Sequence, residues 1–364
     1  MSSNKVLLTG FPSFTARRMC RLLVADGDEV TMLVRHRHKD AADRFIADLE
    51  GPGHVNPAIG DVVLMDLGLS GPEVRKLLRD VEIIYHLASI PPRSHRAQQL
   101  QQINVDGTRS IVELALGADR LKRFVFLSTA FVSGDRRGVV LEEELERGQS
   151  FRTSFERTKY EAERKVRRAS ADMPVSIFRP SLVVGDTRTG QFDTKDDPYH
   201  MMLAFLNVPF DIPIPLPGRG DYPLHLVPVD YVVRAMAHIS RDPRGVGRTF
   251  HLTDPNPLPA ARVLDLIADA ANRKRPRGSI PAGVAKRLLK IPGLSNRAGA
   301  PPSSVVDWFN QLVIYNTTNT LELLSGTDLR CPPFESYVAN LVSHLRSVAR
   351  QVGPGEEFEI DGSF

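Results

Sequence analysis

The first stretch of this chain equipped for chemistry is T-G-F-P-S-F-T-A-R, Thr9 to Arg17, directly after the apolar run Val6-Leu7-Leu8. A turn of small residues between a strand and a helix brings backbone N–H groups and a helix N-terminus up to a pyrophosphate. The common spacing is G-x-x-G-x-x-G. Here Gly10 is followed by Ser13 and Ala16, with Phe11, Pro12, Phe14 and Thr15 between them. Ser and Ala are small enough for close approach, Pro12 deletes one N–H, and the hydroxyls of Ser13 or Thr15 can compensate. Taken alone, the loop fits an ordinary strand-to-helix turn nearly as well. Arg35 and Arg37 follow in V-R-H-R-H-K, where a second apolar run ends. A guanidinium there favours a ribose 2′-phosphate, whereas an acidic residue would favour a 2′-hydroxyl; a solvated basic turn is the competing reading. Farther on stand Asp61 and Val62 in G-D-V, His86-Leu87-Ala88-Ser89, Asn104 in I-N-V-D-G-T and Thr129 in F-L-S-T-A-F-V-S-G. Lys159 lies in S-F-E-R-T-K-Y-E-A-E, and Arg179-Pro180-Ser181 ends another apolar run. In simpler readings Asp61 caps a turn and Asn104 caps a helix.

Holding such residues together takes a layered fold. Strands are expected at Val6–Leu8, Glu29–Val34, before Gly60, at Val81–His86, Arg123–Ser128 and Pro174–Phe178. Helices are expected at about Thr15–Asp26, Asp40–Leu49, Gln98–Gly117 and Phe155–Ser170. Apolar strands alternating with helices imply an α/β fold with a parallel sheet buried on both faces. Right-handed crossovers make it a Rossmann-type, doubly wound sheet with ligands at the carboxyl ends of its strands. After Gly185 the pattern turns rich in Pro, Gly and Asp, and Leu226–Val233 reads as a return to the sheet. The expected organisation is a nucleotide-binding domain over 1–185, rejoined by 225–252, with an interleaved substrate domain over 186–224 and 253–350. Residues 351–364 read as an acidic, loose tail.

Composition sets wider bounds. At 364 residues, 42% hydrophobic and 25% charged, the chain can bury a large core. Its 47 basic and 43 acidic side chains give only +4, too balanced for nucleic acid to be the main partner. Cys20 and Cys331 match no zinc spacing and read as reduced thiols. The first apolar run is too short for a signal peptide, and nothing approaches the roughly 18 apolar residues of a membrane span. A cytoplasmic protein is expected, with no metal and no membrane span; a homodimer would be compatible.

In order and spacing the quoted motifs resemble the extended short-chain dehydrogenase/reductase family over residues 5 to about 250. G-D-V-V-L-M-D-L-G-L-S, H-L-A-S, S-T-A-F-V, R-P-S-L-V-V-G-D and the late C-P-P-F-E-S-Y-V resemble its branch of fatty acyl-CoA reductases and thioester reductase domains. The resemblance implies NADP(H) as cofactor in preference to NAD(H). Gly10, Ser13 and Ala16 would form the pyrophosphate turn, Arg35 would meet the 2′-phosphate, and Asp61 with Val62 the adenine. Ala88 would lie along the nicotinamide ribose, Asn104 would steady the active-site helix, Thr129 would bond the substrate carbonyl, and Lys159 would hold the ribose hydroxyls. Residues of the Leu87-Ala88-Ser89 and Arg179-Pro180-Ser181 stretches complete the implied cofactor contacts.

That family relies on a Tyr-x-x-x-Lys pair, and here Phe155 occupies the tyrosine place. Tyr160 does not rescue the motif, because Arg164 stands four residues later. At roughly 100° per residue Tyr160 also lies about 140° around the helix from position 155. Either another group donates the proton (Ser154, Thr153, Thr129, Ser133, Tyr222 and His225 are the candidates) or the chain binds NADP(H) as a sensor or scaffold. The implied substrate is an acyl thioester, coenzyme A- or carrier-bound, or another apolar carbonyl; a sugar-nucleotide or sterol dehydrogenase is the further alternative. Arg273, Lys274, Arg275 and Arg277 could receive phosphates or be a solvated turn. The amphipathic stretch from Val284 to Ile291 and the apolar run Phe210–Pro217 could border an acyl pocket.

Overall fold

A computed structural model describes residues 3–90, 97–192, 197–206, 215–288 and 304–351. The first half alternates as the apolar pattern requires: β1 (Lys5–Thr9), α1 (Phe14–Ala25), β2 (Glu29–Val34), α2 (Lys39–Ala47), β3 (His54–Ile59), α3 (Gly71–Asp80) and β4 (Ile83–His86). Then come α4 (Ala97–Leu100), a π-helical turn (Gln101–Asp106), α5 (Gly107–Leu116), β5 (Arg123–Leu127), β6 (Gly138–Val140), α6 (Ser154–Ala169) and β7 (Val175–Pro180). The remainder comprises β8 (Leu182–Val184), α7 (Asp197–Leu206), β9 (Leu216–Pro217), β10 (Leu226–Pro228), α8 (Val229–Arg241), β11 (Arg248–Leu252), α9 (Ala260–Ala270) and β12 (Ser279–Ile280). It closes with α10 (Ala282–Leu288), α11 (Ser304–Trp308), β13 (Val313–Tyr315), α12 (Thr318–Leu324) and α13 (Val338–Gln351).

Seven strands form one parallel sheet in the order β11-β7-β5-β4-β1-β2-β3. The order reverses between β1 and β4, which opens a crevice at their carboxyl ends. Alternation along each strand feeds a core on either face. Val6, Leu8, Ile83, Tyr85 and Val125 pack with Met19 and Leu23 of α1 and Val232 and Met236 of α8. Leu7, Ile84, Phe124 and Phe126 pack with Ile111 of α5 and Ala162 and Val166 of α6. With both faces covered, inner strands such as β4 and β7 are buried throughout and legible as apolar runs, whereas the edge strand β3, His-Val-Asn-Pro-Ala-Ile, buries none of its residues fully.

The sequence expectation is corrected at the return to the sheet. Leu226–Pro228 pairs with β8 in a separate two-stranded sheet, and Val229 onward is helix. Proline cannot continue a ladder but tolerates a helix start, and Val229, Val232, Val233, Met236 and Ala237 recur at helical spacing on the buried side. The seventh strand is β11, paired with β7. Helix α3, absent from the expected elements, carries a start signal in S-G-P-E: the Glu73 carboxylate accepts from Ser70 N at 2.8 Å. A second hydrophobic core gathers Leu182, Tyr199, Met202, Leu226, Val263, Ile267, Phe309, Tyr337 and Leu341. The expected tail, most of Phe210–Pro217, and Leu289 to Ile291 lie outside the described residues. Among the described residues no helix is long and apolar enough to cross a membrane.

Candidate active site

The turn after β1 is built by close approach. Gly10 has φ +105°, and a Cβ there would lie 2.8 Å from the Leu87 carbonyl carbon and 2.9 Å from Ala88 N. Only glycine lets the turn sit on the end of β4. Ser13 N donates to Gly10 O at 2.9 Å, and the Ser13 hydroxyl accepts from Ala16 N at 3.3 Å as the N-cap of α1. Replacing Gly10 with Ala is expected to cost at least about 1–3 kcal/mol of stability and to weaken nicotinamide cofactor binding. Thermal unfolding and fluorescence titration check this, and wild-type values in both would refute the requirement for glycine.

A groove runs along this turn, lined by Gly10, Phe11, Pro12, Ser13, Arg35, Asp61, Val62, Ala88 and Ser89, together with Leu33, His38, Gly60, Ile90 and Ile103. Arg35 Nε is 3.0 Å from the Asp61 carboxylate, so the residues read as separate 2′-phosphate and adenine contacts form a pair. Arg37 lies exposed on the 3-10 turn that follows β2, outside the groove lining. Phe14 and Ala16 face the core under α1.

At the chemical end, Thr153 caps α6 by accepting from Glu156 N at 3.1 Å. Lys159 is buried one turn beyond Phe155. Its Nζ donates to Leu127 O at 2.6 Å and stands 4.8 Å from the Phe126 ring centre. Burial pulls the Lys159 ammonium down to about 7, against a partial rise from Glu163. Asn104 sits within the π-helical turn, a helix irregularity that gathers at functional sites. Its Oδ1 accepts from Ile90 N at 2.9 Å and its Nδ2 donates to Thr158 Oγ1 at 3.2 Å, tying the turn to α6. It is a cross-brace, not an N-cap. Thr129, two residues past β5, caps the 3-10 turn Ala130–Ser133; its hydroxyl accepts from Phe131 N at 3.3 Å and donates weakly to Pro180 O at 3.4 Å.

The glycine cradle and the helix N-terminus behind it fit a nicotinamide dinucleotide. A model of the male sterility protein family of NAD-binding domains matches residues 8–236. The chain belongs to that family. Among its relatives, a linear gramicidin synthase from Brevibacillus parabrevis is 27% identical over 355 residues, covering 91% of this chain and 7% of the relative. Fatty acyl-CoA reductase wat of Drosophila melanogaster is 25% identical over 308 residues, covering 73% of this chain and 58% of the relative. The chain thus spans less than two thirds of either relative. The terminal R domain from the myxalamid PKS-NRPS biosynthetic pathway superposes with a TM-score of 0.81 at 25% identity, covering 98% of this chain and 93% of that one. The reductase domain of a nonribosomal peptide synthetase from Mycobacterium tuberculosis, at TM-score 0.72 and 20% identity over 96% of this chain and 92% of that one, shares the fold. Extended short-chain dehydrogenase/reductase architecture is therefore the architecture of this family member.

The Arg179 side chain, read from sequence as a cofactor contact, is engaged within the fold. Arg179 is buried, and its guanidinium is taken by the Glu163 carboxylate at 2.6 Å and by the carbonyls of Glu144 at 2.8 Å and Glu142 at 3.3 Å. Its guanidinium braces the fold, and the residue is not among those that line the groove. Pro180 contributes its carbonyl to Thr129, and Ser181 is buried behind it. Leu87 acts through its backbone beneath Gly10. Sequence reasoning missed Leu33, His38, Ile90 and Ile103 in the groove lining. Ile90 and Ile103 flank quoted motifs and could have been found there; Leu33 and His38 carry no signal of their own.

Proposed function

We propose that this chain is an NADP(H)-dependent oxidoreductase that reduces an acyl thioester, coenzyme A- or carrier-bound. The observation that carries the proposal is the Gly10 turn beside a groove that Arg35 lines, with Asn104 tying Ile90 of that lining to Thr158, the neighbour of Lys159 on α6. The likeness to a fatty acyl-CoA reductase and to synthetase reductase domains supports the thioester class. A bound reduced nicotinamide supplies hydride to a carbonyl carbon. The Thr129 hydroxyl, weakly held by Pro180 O, would turn to the substrate oxygen as charge develops there. Lys159 would hold the ribose hydroxyls, and Asn104 would keep α6 in register. The second core, outside the main sheet, would carry the acyl side of the substrate. Arg275 is engaged bidentately by Asp269 at 2.8 Å, which weakens the case for its basic cluster as a phosphate receptor.

Fluorescence titration with NADPH and NADH tests the cofactor. NADPH is expected to bind tighter, and Arg35→Ala to lose about tenfold or more for NADPH while leaving NADH little changed. Tighter NADH binding by wild type would overturn the role of Arg35. Thiol release and nicotinamide oxidation over a series of acyl-CoAs test the reaction. Phe155 favours a second reading, a cofactor-binding protein without turnover, which absence of thiol release with intact NADPH binding would establish.

A further inference from the structure

We propose, resting on the thioester reductase reading, that Phe155 makes this protein release an aldehyde and prevents its reduction onward to the alcohol. Phe155 and Lys159 lie one turn apart on the same face of α6. Position 155 is firmly set: Thr158 Oγ1 donates to Phe155 O at 3.1 Å, and Asn104 holds that same hydroxyl. Position 155 therefore lies on the lysine face, and its phenyl side chain has no proton to give.

The neighbouring groups do not replace that proton. The Lys159 ammonium is drawn to Leu127 O, over the Phe126 ring. Ser133 shares its hydroxyl hydrogen bond with buried Tyr315 at 3.2 Å. His225 is buried, its pKa is lowered by burial, and its Nε2 donates to Val313 O at 2.9 Å. It is neutral and turned into the fold. Thr153 caps the helix, and Ser154 and Tyr222 are exposed. Thr129 can donate a hydrogen bond to an oxyanion, but a hydroxyl no more acidic than the product alcohol gives no net proton transfer.

The two reductions differ in what they demand. The reduced nicotinamide is the hydride source in both. When a thioester carbonyl carbon gains hydride, negative charge collects on oxygen, where the Thr129 hydroxyl bonds it. The carbonyl re-forms as the C–S bond breaks, and the electron pair leaves on sulfur as a thiolate that takes its proton from water. A thiol ionises near about 8.5, so that anion departs without an acid. When an aldehyde gains hydride, the alkoxide has no leaving group except hydride itself. Its basicity approaches that of hydroxide, whose parent water ionises at about 15.7, so the reduction reverses unless a positioned acid delivers a proton. Position 155 is where that acid would stand.

The test supplies wild type, Phe155→Tyr and Phe155→Leu with NADPH and either an acyl-CoA or the matching aldehyde. Oxidised cofactor, free thiol, aldehyde and alcohol are all quantified. Wild type and Phe155→Leu are expected to oxidise one cofactor per thiol and to leave added aldehyde unreduced. Phe155→Tyr is expected to make alcohol from aldehyde at least about 10²-fold faster than wild type. Calorimetric binding of the primary alcohol to cofactor-free protein gives a readout without turnover, and Phe155→Tyr should tighten it about fivefold through the added hydrogen bond. Alcohol production by wild type at a rate comparable to Phe155→Tyr would overturn the inference, as would a tyrosine variant unchanged in both aldehyde reduction and alcohol binding. No thiol release from any acyl-CoA, with Phe155→Tyr still gaining aldehyde reduction, would overturn the thioester reading and leave the role of position 155 standing.

Discussion

Replacing Arg179 with Met is expected to destabilise the protein by about 3 kcal/mol, because it takes the buried guanidinium from a fully buried carboxylate and leaves only Arg167 and Ser128 to hold it. Burial alone would push the Glu163 carboxyl up, but the Arg179 and Arg167 guanidinium groups and the Ser128 hydroxyl hold it at about 2. Arg179 also closes the segment between β6 and α6 through the carbonyls of Glu142 and Glu144, while Arg167 donates to Glu143 O at 2.8 Å. The Glu142 carboxylate in turn accepts from His251 N, Asn319 N and Thr320 Oγ1, joining β11 and α12 to the same brace. The pH dependence has a definite sign. Glu163 ionises more readily folded, at about 2, than at its ordinary 4.5. Its contribution is therefore complete above about 4.5 and is lost as pH falls through 2. Urea unfolding of wild type and Arg179→Met from neutral pH into acid should show both the loss and a flattened acid limb. A loss below about 1 kcal/mol at neutral pH would show the pair to be dispensable.

The nucleotide-binding half was legible because most of its strands are largely buried, so apolar composition marks them; the exposed edge strand β3 was placed only as preceding Gly60. Glu29–Val34 was located at its observed bounds for that reason. The groove was legible for a different reason: the backbone approach at Gly10 demands a residue type, and type survives in sequence. What failed was orientation. Arg179 stands in a motif beside the site, and nothing in R-P-S says whether a guanidinium at a strand end points to solvent or beneath the sheet. Glu163, one turn beyond Lys159 on α6, decides that, and such a pairing is a tertiary fact. The return to the sheet failed because Leu226 to Val233 is apolar enough for either strand or helix, and only Pro228 marks the change. The π-helical turn at Asn104 left no pattern, because only Ala97–Leu100 precede it as helix, too short a stretch for a phase shift of about 100° to be read against.

Lys159→Met is expected to stabilise the protein by a few kcal/mol at neutral pH while impairing its binding site. Burial holds the Lys159 ammonium at about 7, against 10.5 when free. Between those values the unfolded chain binds a proton that the folded chain does not, so wild-type stability rises with pH across that window. Below about 7 both states are charged, and the fold carries the full cost of a buried cation. Methionine nearly matches the lysine stem in length and needs no solvation; it forfeits the bond to Leu127 O and the contact with the Phe126 ring, each worth less than the desolvation removed. The variant should therefore unfold at higher urea near neutral pH and lose the rise in stability from about 7 to 10.5 seen in wild type. Under the proposed role its affinity for NADPH should fall by about 10–100-fold, the worth of a hydrogen bond from a charged donor. A variant less stable than wild type near neutral pH, with the pH dependence intact, would mean that Lys159 is comfortably solvated and that its burial is no functional strain. A more stable variant with unchanged NADPH affinity would instead remove Lys159 from the cofactor site and leave only its cost to the fold. Gain of stability coupled to loss of affinity is the outcome that marks a residue kept for binding against the preference of its own surroundings.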